Sequence, residues 1–535
     1  TLDRSSAASD VYKRQIVKET YPERRAMTET TANITSPAQT PSATAAAGEE
    51  PGTKASRQDA VRQALKVKVV PLGEVFAAAG FEIALVGGPV RDALLGITPH
   101  DLDLTTSARP DETEAVLRSW ADAVWDVGRN YGTLGARKGD DVFEITTYRS
   151  DDYQRDSRKP TVKFGDTLEG DLFRRDFTVN SIALRLPTLE LVDPTGGLND
   201  LAAGVLRTPI DPEESFSDDP LRIMRAARFA AQLEFDVDYE TMQAMETMRE
   251  RLSIVSPERV QAELSRLMTA KAPRRGLELM VYTQLADQVL PELMDLLDMQ
   301  DEHKRHKDVW EHSLTVLDQA IAQETGPDGP VPAPDLVLRL AAILHDIGKP
   351  ATRRFEAGGV VTFHQHDVVG ARITRTRLKA LKYDKATIRD VSRLVALHQR
   401  FHGYGEQVWT DSAVRRYVTD AGPLLERLHR LTRADCTTRN VKKAHRLAAA
   451  YDDLENRIRE LKAQEELDAV RPELNGDEIM EILGIPAGPE VGKAYRYMLA
   501  YRMEHGPVGH DNATTVLRDW WEKWHNGTNE QDKAR

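Results

Sequence analysis

The sequence predicts an α+β protein: a head of mixed sheet and helices, followed by an all-α neck, body and tail. Three observations carry this reading. From about residue 80 to 210, short strand-like runs ("FEIALVGG", "DLDLTT", "VFEITTYR", "SIALRL") alternate with helical segments such as "DETEAVLRSWADAV". From residue 219 the strand signals nearly vanish, and apolar residues recur at intervals of three and four, as buried helical faces do. The helical half is broken by one Gly/Pro-rich stretch, "TGPDGPVPAP" at 325–334.

Taken in order, residues 1–56 form an expected disordered extension. Residues 29–56 are mostly Thr, Ala, Pro and Ser with little to bury, and Met27 is a plausible true start. No function is expected of this segment. Residues 57–210 make the head, 211–300 the neck, 301–440 the body and 441–535 the tail. In the neck, Pro220 and Pro257 follow an Asp and a Ser, which is the N-cap then N1 order of a helix start.

Composition bounds the partners. At 535 residues the chain is long enough for several cored domains, and its 40% hydrophobic and 29% charged content is that of an ordinary soluble protein. No stretch reaches the roughly 18 apolar residues of a membrane span, and no secretory signal is visible. The sole cysteine, Cys436, excludes an intrachain disulfide, so a cytoplasmic location is expected. No obligate protein partner is evident. The net charge of −13 argues weakly against nucleic acid, but two segments run against it. Residues 372–389 and 427–446 each hold seven basic residues and one acidic, a density that can track a phosphate backbone.

The chemistry begins at "HDLDLTTS" (100–107). In a strand, Asp101 and Asp103 share a face about 7 Å apart, and their charges repel. Such a pair is retained where a cation lies between the carboxylates. Two Mg²⁺ ions about 3.5–4 Å apart can share them, activate a hydroxyl and neutralise a triphosphate. Upstream, "LVGGPVRD" (85–92) places Gly87 and Gly88 between a strand and a helix opening that carries Arg91. Glycines let backbone amides approach a phosphate, and a helix start adds partial positive charge. Glu144, on a separate strand, is the candidate third carboxylate. The arginine pair of "RRDFTVNSIAL" (174–184) offers planar donors to phosphate oxygens.

Six motifs, "LVGGPVRDALLG", "HDLDLTTSA", "RRDFTVNSIAL", "DPTGGLNDL", "DDPLRIMRAARF" and "SPERVQAEL", stand in one order over about 80–275. In that order the chain resembles the class II tRNA nucleotidyltransferases, the CCA-adding enzymes and their poly(A) polymerase relatives. The resemblance implies a nucleotidyltransferase head with Asp101, Asp103 and Glu144 as its Mg²⁺-dependent catalytic carboxylates. It also implies a neck that holds the nucleotide base, a body and tail that grip tRNA, and CTP and ATP as substrates. The family's base-reading positions correspond to Asp219 and Arg222. The chemistry is sound by itself: cytosine and adenine both present an amine beside a ring-nitrogen acceptor, matching an Asp acceptor and an Arg donor. Uracil and guanine would leave the carboxylate facing a carbonyl. Helical spacing clusters Asp219, Arg222 and Arg225 within about a third of the circumference. Arg225, Arg228 and Arg175 are then candidates for the triphosphate.

Residues 306–440 contain "HKDVWEHSL", "AAILHDIGKP", "TFHQHDVVGA", "LVALHQRFH" and "LTRADCTTRN". Histidines with an adjacent aspartate, and a later aspartate on a helix, are typical of divalent-metal coordination. The segment resembles the HD phosphohydrolase domain, whose signature positions correspond to His312, His345, Asp346 and Asp435. His366 and His398 stand where a second metal could be held. Imidazole and carboxylate ligands favour Ni²⁺, Mn²⁺, Co²⁺ or Fe²⁺ over Mg²⁺.

The leading expectation is template-independent addition of C, C and A to tRNA 3′ ends. An enzyme adding only A, to tRNA or as a poly(A) tail, shares these motifs, and the loop that would discriminate lies between Asp151 and Asp171. Rivals from other classes are an HD phosphohydrolase with a regulatory nucleotide-binding head, and a non-catalytic RNA-binding protein. The intact Asp101/Asp103 pair argues against both, because a binding-only site tolerates loss of the second carboxylate.

Overall fold

The computed structural model describes residues 51–99, 101–152, 161–165, 167–297, 299, 309–356, 361–401, 404, 409–438, 440–465 and 471–533. The disordered extension expected at 1–56 lies outside the described residues up to position 50. A helix already begins at Pro51 and runs to Ala78, so the expected boundary at 57 moves six residues earlier. Its anchors are Val61, Leu65, Val69, Leu72 and Phe76, all buried at helical spacing. The described chain divides into two compact units, Thr1–Leu297 and Asp298–Arg535.

In the first unit, seven strands form one mixed sheet. They are β1 (Ile83–Val86), β2 (Leu102–Thr106), β3 (Ala123–Gly128), β4 (Thr133–Lys138), β5 (Asp141–Thr147), β8 (Ala183–Leu186) and β9 (Glu190–Val192). β6 (Arg149–Asp152) and β7 (Thr161–Phe164) pair separately as a hairpin. The sheet order is β3-β4-β5-β2-β1-β8-β9. β2 and β5 run parallel, and every other neighbouring pair is antiparallel. One face is packed: Leu102 and Leu104 of β2, Phe143 and Ile145 of β5, and Leu134 and Ala136 of β4 join Leu72 and Phe76 of the first helix in one core. Strand alternation therefore sends Asp103 and Glu144 to the opposite face.

The sheet is followed by helices Pro212–Asp218, Leu221–Leu233, Tyr239–Met248, Pro257–Met268 and Pro273–Tyr282. Ser256 and Pro257 occupy the expected N-cap and N1 positions. The neighbouring start differs by one residue: Pro220 is the N-cap and the helix opens at Leu221. The all-α expectation also misses a two-residue parallel pairing of 205–206 with 236–237 and a small antiparallel pair at 354–355 and 361–362.

In the second unit, helices Val309–Ile321, Leu336–Leu344, His366–Ala380, Lys385–Leu397 and Leu425–Asp435 bury their apolar faces. The C-terminal helices Gly476–Leu483, Pro489–His505 and His510–Lys533 build a separate cluster around Leu474, Ile479, Met498 and Leu517. No described helix is long and apolar enough to cross a membrane.

Candidate active site and metal centre

On the face opposite that core, covered at β1 by a second cluster around Ala84, Val86, Leu168 and Leu172 but open at Glu144, Asp103 stands directly opposite Glu144 across the parallel β2/β5 pair. Asp101 lies one residue before β2 and is exposed. Burial raises the Asp103 carboxyl above the usual carboxylate range, and the charges of Glu144 and Asp101 add to the effect. The three sequence-predicted carboxylates thus come together as a mutually repelling group, the donor set of a hard divalent cation.

Beside them β1 ends at Val86; Gly87, whose φ of 75° is left-handed, caps the helix Gly88–Leu94, which has Pro89 in its first turn. The positive φ favours glycine, and a Cβ there would fall 3.1 Å from Arg175 Nη1 and press on the guanidinium beside it. Arg175 donates from Nη2 to buried Asp171 at 3.1 Å, while its Nε is buried without a hydrogen-bond partner among the described residues. A buried donor of this kind calls for an acceptor. Arg91 is placed differently from the expectation of an open phosphate ligand. It is 4% exposed and donates to Asn180 Oδ1 at 2.6 Å and to Asp92 Oδ1 at 2.7 Å.

The neck residues depart further from helical-wheel reasoning. Asp219 precedes its helix in an extended conformation and does not ride on it. Its Oδ1 accepts the Leu221 N–H at 3.1 Å, and its Oδ2 accepts Arg259 Nη2 at 3.1 Å. Arg222 is buried and donates to Ser215 Oγ at 2.8 Å and to the Arg174 carbonyl. Asp219 and Arg222 are adjacent through the backbone, Arg222 N–H donating to Asp219 O at 3.0 Å. Arg225 and Arg228, expected at a triphosphate, instead meet protein carboxylates. Arg225 Nε donates to Asp176 Oδ2 at 2.7 Å, and Arg228 Nε lies 2.6 Å from Glu263 Oε2. The physical reason is burial: Arg228 is almost wholly and Arg225 partly removed from water, and a guanidinium so placed needs a counter-charge within the fold.

Asp176 was not singled out from the sequence, although it follows Arg175 directly. It is buried, and burial works against its charge, but Arg225 and the Asn180 amide hold its carboxyl well below the usual range. Asn180 donates to Asp176 Oδ1 at 3.0 Å and accepts from Arg91 at 2.6 Å. One polar chain, Arg225–Asp176–Asn180–Arg91, therefore ties the 221–233 helix to the Gly87 turn. The sequence signal was an Asp and an Asn four apart in "RRDFTVNS", a spacing that becomes informative only once the arginines are located.

In the second unit the structure brings together all six predicted His and Asp residues. His312 Nε2 lies 3.0 Å from Asp435 Oδ1, and His345 Nε2 lies 3.2 Å from Asp346 Oδ2. On its other oxygen, Asp346 Oδ1 is 3.2 Å from His366 Nε2 and 3.9 Å from His398 Nε2. The two donor groups, His312/His345/Asp435 and Asp346/His366/His398, each converge within 4.8 Å, and Asp346 faces both. Every ring is oriented from behind. Nδ1 of His345, His366 and His398 faces the carbonyls of Ala342, Phe363 and Val395 at 2.8, 2.8 and 2.7 Å, and His312 Nδ1 faces Thr437 Oγ1 at 3.2 Å. Carbonyl acceptors behind the ring turn Nε2 toward the cluster, where a metal would sit; on His366 that nitrogen also meets Gln399 Nε2 at 2.9 Å. Burial alone would lower His345, but Asp346 and Asp435 outweigh it and push it up to about 10. His398, desolvated and beside His345, is pulled down to about 4. The residues fit divalent ions by donor chemistry and by this rear orientation. Lys349 Nζ, 2.8 Å from Asp346 Oδ2, was not anticipated.

Both basic segments mix paired and unpaired cations: Lys442, Lys443 and Arg446 of the second are exposed with no ion pair among the described residues, and Arg389 of the first pairs with Asp390 at 2.7 Å. In the second, Arg427 pairs with Asp335 at 2.7 Å, and Arg433 pairs with Asp452 at 2.7 Å and Glu455 at 2.8 Å. In the first, Arg372, Arg375, Lys379 and Lys382 are exposed and have no ion pair among the described residues.

Comparison with known proteins follows the same partition. The Poly A polymerase head domain matches residues 83–207, the probable RNA- and SrmB-binding site of polymerase A matches 234–297, and the HD domain matches 309–440. A Streptococcus pneumoniae CCA-adding enzyme is 43% identical over 239 residues, which is 44% of this chain and 58% of that enzyme's length. A Deinococcus radiodurans A-adding tRNA nucleotidyltransferase is 36% identical over 450 residues, 82% of this chain and 96% of the relative. The solved structure of the Bacillus stearothermophilus CCA-adding enzyme with CTP shares the fold at a TM-score of 0.61 and 22% identity, covering 87% of this chain and 98% of that one. The Thermotoga maritima CCA-adding enzyme with tRNA does so at 0.53 and 16%, covering 88% and 96%. With similarity to the Deinococcus protein over 82% of its own length and the three family segments in order, the chain belongs to the tRNA nucleotidyltransferase family.

Proposed function

We propose that this chain adds C, C and A to the 3′ end of tRNA from CTP and ATP without a nucleic-acid template, in the cytoplasm. The observation that carries the reading is the in-register pairing of Asp103 with Glu144, with Asp101 beside them and the Gly87 turn alongside. Asp101, Asp103 and Glu144 would hold Mg²⁺, which when bound supplies Lewis-acid charge and eases deprotonation of the attacking 3′ hydroxyl. The chain's own groups do the placing. Arg175, with its unpartnered Nε, takes a phosphate oxygen, and the left-handed Gly87 leaves room for the triphosphate to approach. Asp219 and Arg222 read the amine and ring nitrogen shared by cytosine and adenine, and Arg259 orients the Asp219 carboxylate. Arg225 and Arg228 act through Asp176 and Glu263 to hold that helix in place. The exposed stripe of Arg372, Arg375 and Lys379, without an ion pair among the described residues, supports an RNA backbone as partner.

A second reading, addition of A alone, is favoured by one observation: the relative that spans 82% of the chain is an A-adding enzyme. The loop expected to discriminate includes residues 153–160 and 166, which lie outside the described residues. The test is incubation with Mg²⁺ and two tRNAs, one lacking its 3′ CCA and one already ending in CC, each supplied with CTP and ATP separately and together. Extension by CTP carries the first reading; extension only by ATP, and only of tRNA already ending in CC, carries the second.

For the second unit we propose a phosphoesterase centre that acts on a cyclic 2′,3′-phosphate or a phosphomonoester with a transition metal. His312, His345, Asp346 and Asp435 would hold one ion, with Asp346, His366 and His398 placed for another. Elemental analysis of the purified protein, alongside hydrolysis assays with Ni²⁺, Mn²⁺, Co²⁺ and Mg²⁺, tests this reading. Failure of a transition metal to bind at micromolar levels removes it.

A further inference from the structure

The row of residues that starts at the carboxylates continues across the sheet. Asp103 opposes Glu144 on β2 and β5, Glu144 opposes Gly135 on β4, and Gly135 opposes Trp125 on β3. Directly opposed residues share a face. The four therefore form one line on the open side, while Leu102, Phe143, Leu134 and Val124 point into the core.

Trp125 is unusual for its place. It sits on an edge strand, and 39% of its large apolar surface is exposed. Its ring crosses Gly135: a Cβ on that glycine would fall 2.4 Å from indole Cε2 and Nε1. Any larger residue at 135 would lift the ring away, so the glycine lets the indole lie flat along the row. Adjacent strands are about 4.8 Å apart, which puts a ring above Gly135 about one strand spacing from Glu144 and two from Asp103. The indole N–H makes no hydrogen bond among the described residues. Arg137, two residues along β4 from Gly135 and so on the same face, is exposed and has no ion pair within 4 Å among the described residues, although its charge acts on the Asp122 carboxylate.

A flat apolar surface in line with two carboxylates, with Arg137 and Asp101 each two residues to the side of that line, fits an occupant with a ring, a phosphate and a hydroxyl at matching spacing. The 3′-terminal nucleotide of an RNA chain has all three. We infer that Trp125 is a positioning residue for the acceptor: the terminal base of the RNA stacks on its indole, Arg137 meets the neighbouring phosphate, and the 3′ hydroxyl is delivered to Asp103 and Glu144. The inference rests on the nucleotidyltransferase reading, and it assigns the acceptor a place apart from the Asp219/Arg222 pair assigned to the incoming base.

The experiment uses the full chain and an RNA minihelix whose 3′-terminal base is 2-aminopurine, a fluorophore quenched by stacking. Wild type should quench it on binding, Trp125→Phe should retain most of the quench, and Trp125→Leu should abolish it. Base–aromatic stacking loss corresponds to about 5- to 100-fold in affinity, so Trp125→Leu should raise the acceptor KM by that factor and leave the ATP KM within about twofold. Leucine still covers Gly135, so a merely structural role predicts that Trp125→Leu behaves as wild type. That result, or equal quenching in both proteins, overturns the inference, as does a parallel rise of both KM values. A wild-type protein that extends no RNA with any nucleotide refutes the nucleotidyltransferase reading itself, which is a separate outcome.

Discussion

Replacing Asp176 by Asn tests whether the buried polar chain holds the neck helix to the glycine turn. The side chain keeps its size and can still accept one hydrogen bond, but Arg225 loses the charge that its Nε and Nη2 approach at 2.7 and 2.5 Å. Removing one partner of a buried ion pair costs about 3–5 kcal/mol. Two features of the site pull this down. The Arg225 side chain is 31% exposed, and Glu263 remains 3.7 Å from its Nη1. We therefore expect a loss of about 2–3 kcal/mol, or about 4–12 °C in Tm for a unit of this size. The pH dependence has a definite sign. The folded-state carboxyl of Asp176 is held below its unfolded value, so its contribution is fully present above about pH 5 and is lost as pH falls below about 4. Calorimetry of wild type and Asp176→Asn between pH 3.5 and 7, a range set by the unfolded carboxylate value of about 3.9, reads both effects. The difference between the two proteins should be largest at neutral pH and shrink on acidification. A Tm shift below about 2 °C at pH 7, or a difference that grows as pH falls, would refute the argument.

Three further outcomes are expected. Asp219→Ala or Arg222→Ala should lower CTP and ATP use together and admit UTP and GTP; loss of ATP use alone would mean that separate residues read the two bases. Gly87→Ala should be strained by its φ of 75° and by a methyl group 3.1 Å from Arg175 Nη1, raising the nucleotide KM several-fold with little change in tRNA affinity; an unchanged KM would remove the turn from the site. His345→Ala combined with Asp346→Ala should abolish transition-metal binding and any phosphoesterase activity while sparing nucleotide addition, since the two donor sets share no residue.

The periodic features of this chain were legible in its sequence. The alternation in "DLDLTT" put Asp101 and Asp103 on one strand face and "VFEITTYR" put Glu144 on a separate strand, and the histidine motifs, scattered over 120 residues or more, converge as their resemblance to a known domain implied. What stayed hidden was of another kind. Helical spacing put Asp219 on one face with Arg222 and Arg225, but Pro220 delays the helix and leaves Asp219 in extended backbone. Arg225 and Arg228 looked like phosphate ligands because a sequence does not display that Asp176 and Glu263, 49 and 35 residues away, are folded against them. Cross-strand neighbours are equally silent. Trp125 and Gly135 have no spacing that relates either to Asp103, and only the register of four strands sets them in one line.

The most direct measurement is nucleotide addition by Asp103→Ala and Asp101→Ala, followed on tRNA lacking its 3′ CCA with Mg²⁺, CTP and ATP. Loss of a carboxylate from this group removes transition-state charge stabilisation, and losses of about 100- to 1,000-fold or more in kcat are expected for both C and A addition. The tRNA Kd should stay within about threefold of wild type, because neither carboxylate attracts a phosphate backbone. Addition at the wild-type rate by either variant would contradict the account: Asp103 and Glu144 would then be neighbours on a strand pair and nothing more.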